Sequence, residues 1–250
     1  MKQQQLSTLK DGARFFYGGV EWVKLEHLHT APGKIETVAI AAEPVFERAF
    51  DEENCNDWRK SSLRRELNGA FLDALIAEGA DPAAFMEFES DLTADDGMTD
   101  YGTARDKIAL ITCDLYREYR ALLPKIGCWW WTLTPWTCDP EYSYFVRGVN
   151  SSGALDYGSA CDGRGGVRPL CNMKSDILVS VPGEENADDQ AERRAAAVEE
   201  AAEAVMETLG DYAVSLWGDV LAAVVSSLFK SKQDAEEIMQ EEEAKRAAEG

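Results

Sequence analysis

The chain has 250 residues, 45% hydrophobic and 10% aromatic, which is enough apolar material for one good-sized core with chain left over. Its 46 acidic residues outweigh 25 basic ones, and the resulting charge of −21 repels phosphate backbones and anionic lipid, arguing against nucleic-acid and membrane partners. The excess is uneven: 18 acidic and 6 basic residues lie between Glu184 and Gly250, a net of −12, which separates a domain at 1–183 from an acidic tail at 184–250.

The N-terminus, Met1 to Thr8, has no apolar h-region, so no secretory signal is expected. The expected location is the cytoplasm of a producing cell, or a virion assembled there. Between Ala13 and Leu25 two β-rich runs flank Gly18-Gly19, a hairpin signal that turns Trp22 toward a core. A strand at Glu36–Ala42 follows the Pro32-Gly33 turn. Asp57–Glu78 reads as a helix with Ser61 or Ser62 as N-cap, and Leu63, Leu67, Phe71 and Leu75 recur at i+4 on one face. Glu87–Thr103 is acidic and turn-rich, the pattern of a surface excursion loop. A short apolar run at Lys107–Thr112 precedes a second helix at Asp114–Leu123.

Cys128–Trp136 packs four tryptophans into nine residues, too many to face water together. Short strands with tight turns follow: Tyr142–Val149, a return from Leu155, Val167–Leu170 and Ile177–Val181. Such a run predicts antiparallel pairing rather than βαβ units. In the tail, apolar residues from Ala191 to Leu216 alternate at spacings of four and three, a heptad-like seam fit for a coiled coil or helical hairpin. The segment 191–229 is therefore the candidate for homo-oligomerisation. Tyr212–Phe229, the most apolar later stretch, carries Asp219 near its centre and suits a partner-facing helix better than a bilayer.

Four blocks occur in order: Phe16-Tyr17-Gly18-Gly19-Val20-Glu21-Trp22; Trp58 to Arg64 with Leu67-Asn68 and Phe71; Trp129-Trp130-Trp131-Thr132-Leu133-Thr134-Pro135; and Gly166-Val167-Arg168-Pro169. Together they resemble the bacterial and phage domain of unknown function 6273, over about Leu9 to Val181. The family usually has an arginine and a serine where Leu133-Thr134 stands here. A looser resemblance is to the C-type-lectin-like fold, including its formylglycine-generating-enzyme branch. That resemblance implies an α+β, irregular C-type-lectin-like domain with two helices and short antiparallel strands, followed here by the acidic α-helical tail. The motif residues Gly18, Gly19, Trp22, Trp58, Asn68, Gly166, Val167, Arg168 and Pro169 are expected to be structural.

For function, alternation along the tryptophan block sends Trp129 and Trp131 to one face and Trp130 to the other. One face packs in the core; the other offers an aromatic platform, built from Trp130, Trp136 and Tyr142. Arg168 reads either as a ligand-facing cation or, preferably, as a buried arginine tying the terminal strand to the N-terminal hairpin through carbonyls. No catalytic motif accompanies His27 and His29, no metal-ligand spacing links the six cysteines, and Asp91, Asp95, Asp96 and Asp100 lack an EF-hand pattern. Cys128/Cys138 and Cys161/Cys171 are each spaced to close a short loop, but free thiols in a reducing cytosol are the preferred reading. The expectation is a non-enzymatic module without cofactor, of phage, prophage or bacterial origin, binding carbohydrate or protein through an aromatic face. The alternative is a structural virion or scaffold component assembled through the C-terminal helices.

Overall fold

In the computed structural model, which describes residues 1–31 and 34–182, strand β1 (Lys2–Gln5) comes first. The hairpin β2 (Arg14–Tyr17) and β3 (Val20–Ala31) follows, then β4 (Lys34–Ala41) and the short β5 (Phe46–Glu47). Gly18 and Gly19 have φ of 59° and 74°, the left-handed pair that a two-residue type I′ turn requires. A helical stretch runs from α1 (Ser62–Glu66) through a π-helical segment (Leu67–Phe71) into α2 (Leu72–Ala77). Short strands β6 (Phe85–Met86), β7 (Phe88–Asp91), β8 (Thr103–Asp106) and β9 (Ile108–Ala109) lead to α3 (Cys113–Tyr119). Six strands end the described chain: β10 (Trp130–Pro135), β11 (Phe145–Val149), β12 (Leu155–Ser159), β13 (Gly166–Val167), β14 (Leu170–Lys174) and β15 (Leu178–Val181).

The strands make a β-rich, largely antiparallel architecture in three sheets. The largest has the order β1-β15-β2-β3-β4-β14-β6, with β9 also paired to β14. The second has the order β12-β11-β10-β13-β5, and the third is the pair β7-β8. The expected antiparallel pairing has one exception, the parallel contact of Trp130 with Gly166 between β10 and β13.

The helical stretch starts later than expected. Ser61 is the N-cap, its side chain accepting from Arg64 N at 3.2 Å, while Asp57 is engaged by Arg59 instead of entering the helix. The i+4 stripe holds: Leu63, Leu67 and Leu75 are each at most 1% exposed, worth about 1.5–3 kcal/mol apiece in buried apolar surface. The second helix is shorter than expected, ending at Tyr119. The supposed excursion loop at 87–103 contains β7 and leads straight into β8; Ser90, Ala104 and Asp106 turn inward while Glu89, Asp91 and Arg105 stay outside. Strand β1, a polar run, was absent from the sequence expectation; it pairs with β15 from Lys2–Val181 to Gln5–Leu178.

Two hydrophobic clusters fill the interior. One gathers Trp22, Trp58, Leu63, Leu67 and Trp131; the other gathers Trp130, Tyr116, Ile40, Ile126 and Val149. The motif tryptophans also have polar tethers. Trp22 Nε1 donates to Tyr17 O at 3.0 Å across the hairpin, and Trp58 Nε1 donates to Asp106 at 3.0 Å, where Arg64 also binds. The Pro32-Gly33 turn, the acidic tail and the 191–229 seam lie outside the described residues.

Candidate functional site

Strand β10 is flanked by β11 and β13, and all six of its residues are buried. Alternation therefore does not leave one tryptophan outside. Trp131 is fully buried, with its Nε1 donating to Arg48 O at 2.8 Å. Trp130 is 2% exposed and packs edge-on against Tyr116 with ring centroids 5.6 Å apart. The expectation that Trp130 joins an exposed aromatic platform is corrected: helix α3 and the core around Ile126 and Val149 cover the face left open by the rest of the block.

Arg168 is also removed from the surface, with no solvent exposure. Its Nε and Nη2 donate to Ala41 O and Ala42 O, each at 3.0 Å, and its guanidinium lies over the Trp130 ring at 4.6 Å from the centroid. Burial pushes its pKa down to about 10, so it remains a cation at neutral pH. The ligand-facing reading of Arg168 falls on this geometry. The carbonyls it ties belong to the end of β4 and the following residue, one strand beyond the hairpin that the sequence suggested. Pro169 O accepts from Ala41 N at the same junction.

Trp136 and Tyr142, in contrast, meet near the surface. Trp136 sits just past β10, and its ring packs edge-on to Tyr142 at 5.9 Å and to Phe145 at 5.2 Å. It lies parallel to Tyr157, with centroids 5.1 Å apart and planes 7° apart. Tyr142 and Tyr157 are 41% and 48% exposed. Tyr157 stands on edge strand β12 directly opposite Arg147 of β11, whose guanidinium lies 6.0 Å from the Tyr157 ring centroid. Asp95 fixes that arginine and Arg117 as well. Burial alone would raise the Asp95 pKa, but its hydrogen bonds to the two arginines outweigh that and hold the carboxyl below its usual range.

Tyr157 also lines a groove of about 360 Å³ with Trp129, Trp131, Gly158, Asp162, Arg164 and Gly165. The groove exists because three glycines leave room for indoles. Trp129 lies where a side chain at Gly148 would stand and passes within 3.5 Å of a Cβ position at Gly158, while the Trp131 nitrogen fills the side-chain position of Gly165. At the rim, Arg164 Nε and Nη2 donate to the two oxygens of Asp162 at 3.1 and 2.9 Å. The result is a strip of half-exposed rings, Tyr142–Trp136–Tyr157, running into a groove with a carboxylate and a guanidinium at its edge. Flat apolar faces beside a few polar groups are suited to binding sugars or peptides without covalent chemistry.

His27 is placed as a structural strut. Its Nδ1 faces Thr37 Oγ1 at 2.9 Å and its Nε2 faces Ser7 O at 3.2 Å, so Nε2 carries the proton and Nδ1 accepts from the hydroxyl. His29 is exposed. All six cysteines are free; Cys171 is fully buried, which pushes its thiol pKa well up, and Cys161 is at the surface.

Residues 104–175 match the family model described as Domain of unknown function (DUF6273). The DUF6273 match takes in β9, α3, the tryptophan block, both halves of the aromatic strip and Gly166 to Pro169. The hairpin block at Phe16–Trp22 and the Trp58–Phe71 block lie before it. No curated protein and no solved structure matches the chain. Among the described residues, no helix is long and apolar enough to cross a membrane.

The structure thus separates the four residues singled out for binding into two pairs: Trp136 with Tyr142 outside, and Trp130 with Arg168 inside. Sequence reasoning missed Trp129 as the half-exposed member of the block, and it missed Tyr157 altogether. The signal available was the set of glycines at 148, 158 and 165, on β11, on β12 and just before β13, in the chain that follows the tryptophan-dense strand.

Proposed function

We propose that the domain is a non-enzymatic, lectin-like binding module that recognises carbohydrate through the Tyr142–Trp136–Tyr157 strip and the groove beside it. The observation that carries this reading is the parallel Trp136–Tyr157 pair, 5.1 Å apart, with Tyr157 48% exposed and also lining the groove. A sugar ring offers C–H faces to aromatic planes and hydroxyls to a carboxylate–guanidinium pair, and both kinds of partner are present here. Arg147 and Asp95 hold the Tyr157 end in place, which lowers the ordering cost of binding. The resemblance named above favours a phage particle or a bacterial surface assembly as the setting.

The test is a glycan-array screen of the intact chain, followed by calorimetric titration of any hit against Trp136→Ala and Tyr157→Ala. Each substitution is expected to weaken binding at least tenfold, while the far-UV and near-UV spectra keep the folded signature. A glycan bound equally well by both variants, or a screen without hits, overturns the reading.

A further inference from the structure

A second cavity lies away from the aromatic strip, between the end of α3 and the β11–β12 turn. It has a volume of about 90 Å³, and its walls include Trp130, Leu123, Ile126 and Val149, each at most 8% exposed. A dry cavity of roughly 150 Å³ accommodates the six carbons of benzene, so this one has room for about three or four heavy atoms. In a chain with 46 acidic residues, none of the residues lining it is acidic. Two are cationic, Arg120 and Lys125, and both are exposed, which puts them at the mouth.

The Arg120 guanidinium and the Lys125 stem meet at one point of the rim. Gly153 turns there with φ of 80°, and the position of its missing Cβ lies 3.5 Å from Lys125 Cγ and 3.7 Å from Arg120 Nη2. Tyr116 Oη lies 3.4 Å from the same point and donates to Gly153 O at 2.7 Å, which fixes the turn against the cavity wall. Arg120 also rests on the Tyr116 ring at 5.8 Å. Among the described residues, neither Arg120 nor Lys125 forms a salt bridge, although ten such pairs occur elsewhere. The buried Arg168 adds positive charge behind the Trp130 ring. Positive potential at the rim, an apolar floor and a volume of a few atoms define the ligand by chemistry.

We infer that this cavity binds a small monocarboxylate, with the carboxylate held between Arg120 and Lys125 and a short alkyl stem against Trp130. Arg120 supplies a planar fork that matches a carboxylate, and Lys125 supplies a point charge. The stem is limited to two or three carbons by the volume. Inorganic anions match the rim but leave the apolar floor wet, and neutral amides match the floor but leave the cations unpaired.

The experiment uses the intact, ¹⁵N-labelled chain titrated with sodium propionate at constant ionic strength. Saturable shifts of the Gly153 amide and the Trp130 indole N–H are expected. Propionamide and inorganic phosphate should each bind at least tenfold more weakly, and the Arg120→Gln/Lys125→Gln double variant should lose at least tenfold in propionate affinity with an unchanged melting temperature. Propionamide equal to propionate would remove the role of the cations, and phosphate equal to propionate would remove the role of the floor. Either result overturns the inference, as does the absence of saturable shifts in the unaltered chain, and these comparisons do not depend on the variant folding.

Discussion

At Gly165 a methyl group would occupy the space of the Trp131 indole nitrogen, and at Gly148 it would occupy the Trp129 six-membered ring. The two conflicts differ in how they can relax. Trp131 is fully buried and tethered to Arg48 O, so it has nowhere to go. Trp129 is half-buried and can swing outward. Gly165→Ala should therefore cost about 3 kcal/mol, at the upper end for overpacking a close-packed site, and Gly148→Ala less. Urea denaturation measures both, and Trp129→Ala should recover most of the loss from Gly148→Ala but none of that from Gly165→Ala. Residue-scale legibility was uneven for the same reason. Trp22 was readable as interior because its strand alternates apolar with charged residues, whereas Trp58, set in the polar run Asp57 to Ser62, was marked as structural only through the family resemblance. The burial of Arg168 was the preferred reading too, but its carbonyl partners at the end of β4 and the burial of Trp130 were not legible, because they depend on where β4 ends and which strands flank β10, and alternation along one strand carries neither fact.

Within the helical stretch, one side chain explains the irregular segment. Asn68 Nδ2 donates to Arg64 O at 3.1 Å and to Ile108 O at 2.8 Å, and its Oδ1 accepts from Lys107 N and Ile108 N, each at 3.1 Å. All four of its hydrogen-bonding positions are filled. These bonds dock the helix onto β9, and the widened turn from Leu67 to Phe71 sits where they form. Asn68→Ala should destabilise the domain by about 2–4 kcal/mol, because it strands backbone groups of Lys107 and Ile108. Asn68→Asp keeps the acceptor and loses both donations, so its loss should be smaller in the same chemical denaturation experiment. Element by element, the i+4 stripe and the Gly18-Gly19 hairpin were legible, since both are local rules. The π-helical segment was not, because its cause is a partner 40 residues away in sequence. Strand β7 was hidden by Glu89 and Asp91, which a two-residue period simply sends outward, and β8 by its brevity and its mix of Thr103, Arg105 and Asp106.

Across the whole molecule, the sheet order is set by contacts between distant parts of the chain. Strand β14 lies between β4 and β6, and β15 lies between β1 and β2. The pairing of β1 with β15 is extended by Leu6 N donating to Ile177 O at 3.0 Å and Ser7 N to Ser175 O at 2.7 Å. By comparison, β10, β11 and β12 are neighbours both in sequence and in their sheet. Folding should follow that difference, since closing a long loop costs entropy before its contacts form. In pulse-labelled hydrogen exchange during refolding, the amides of β10 and β11 should gain protection early and those of Gln3 to Ser7 last. Early protection at Gln3–Ser7 would show that the sheet instead grows from that edge. The antiparallel run of neighbouring late strands was legible in the sequence, but the place of β1 was not, because Lys2-Gln3-Gln4-Gln5 carries no hydrophobic alternation to mark a strand.

The pairing of Lys2 with Val181 has a consequence for the chain as it is made. While the ribosome is still adding the residues of β15, β1 has no partner and its backbone groups are open to any other strand edge nearby. A polar sequence at that position is then useful in itself, because glutamine and lysine side chains make the waiting strand a poor seed for clumping with its neighbours on the same message. The domain can close only when residue 181 has cleared the exit tunnel, so the first strand made must wait for every residue up to β15 before its edge is covered.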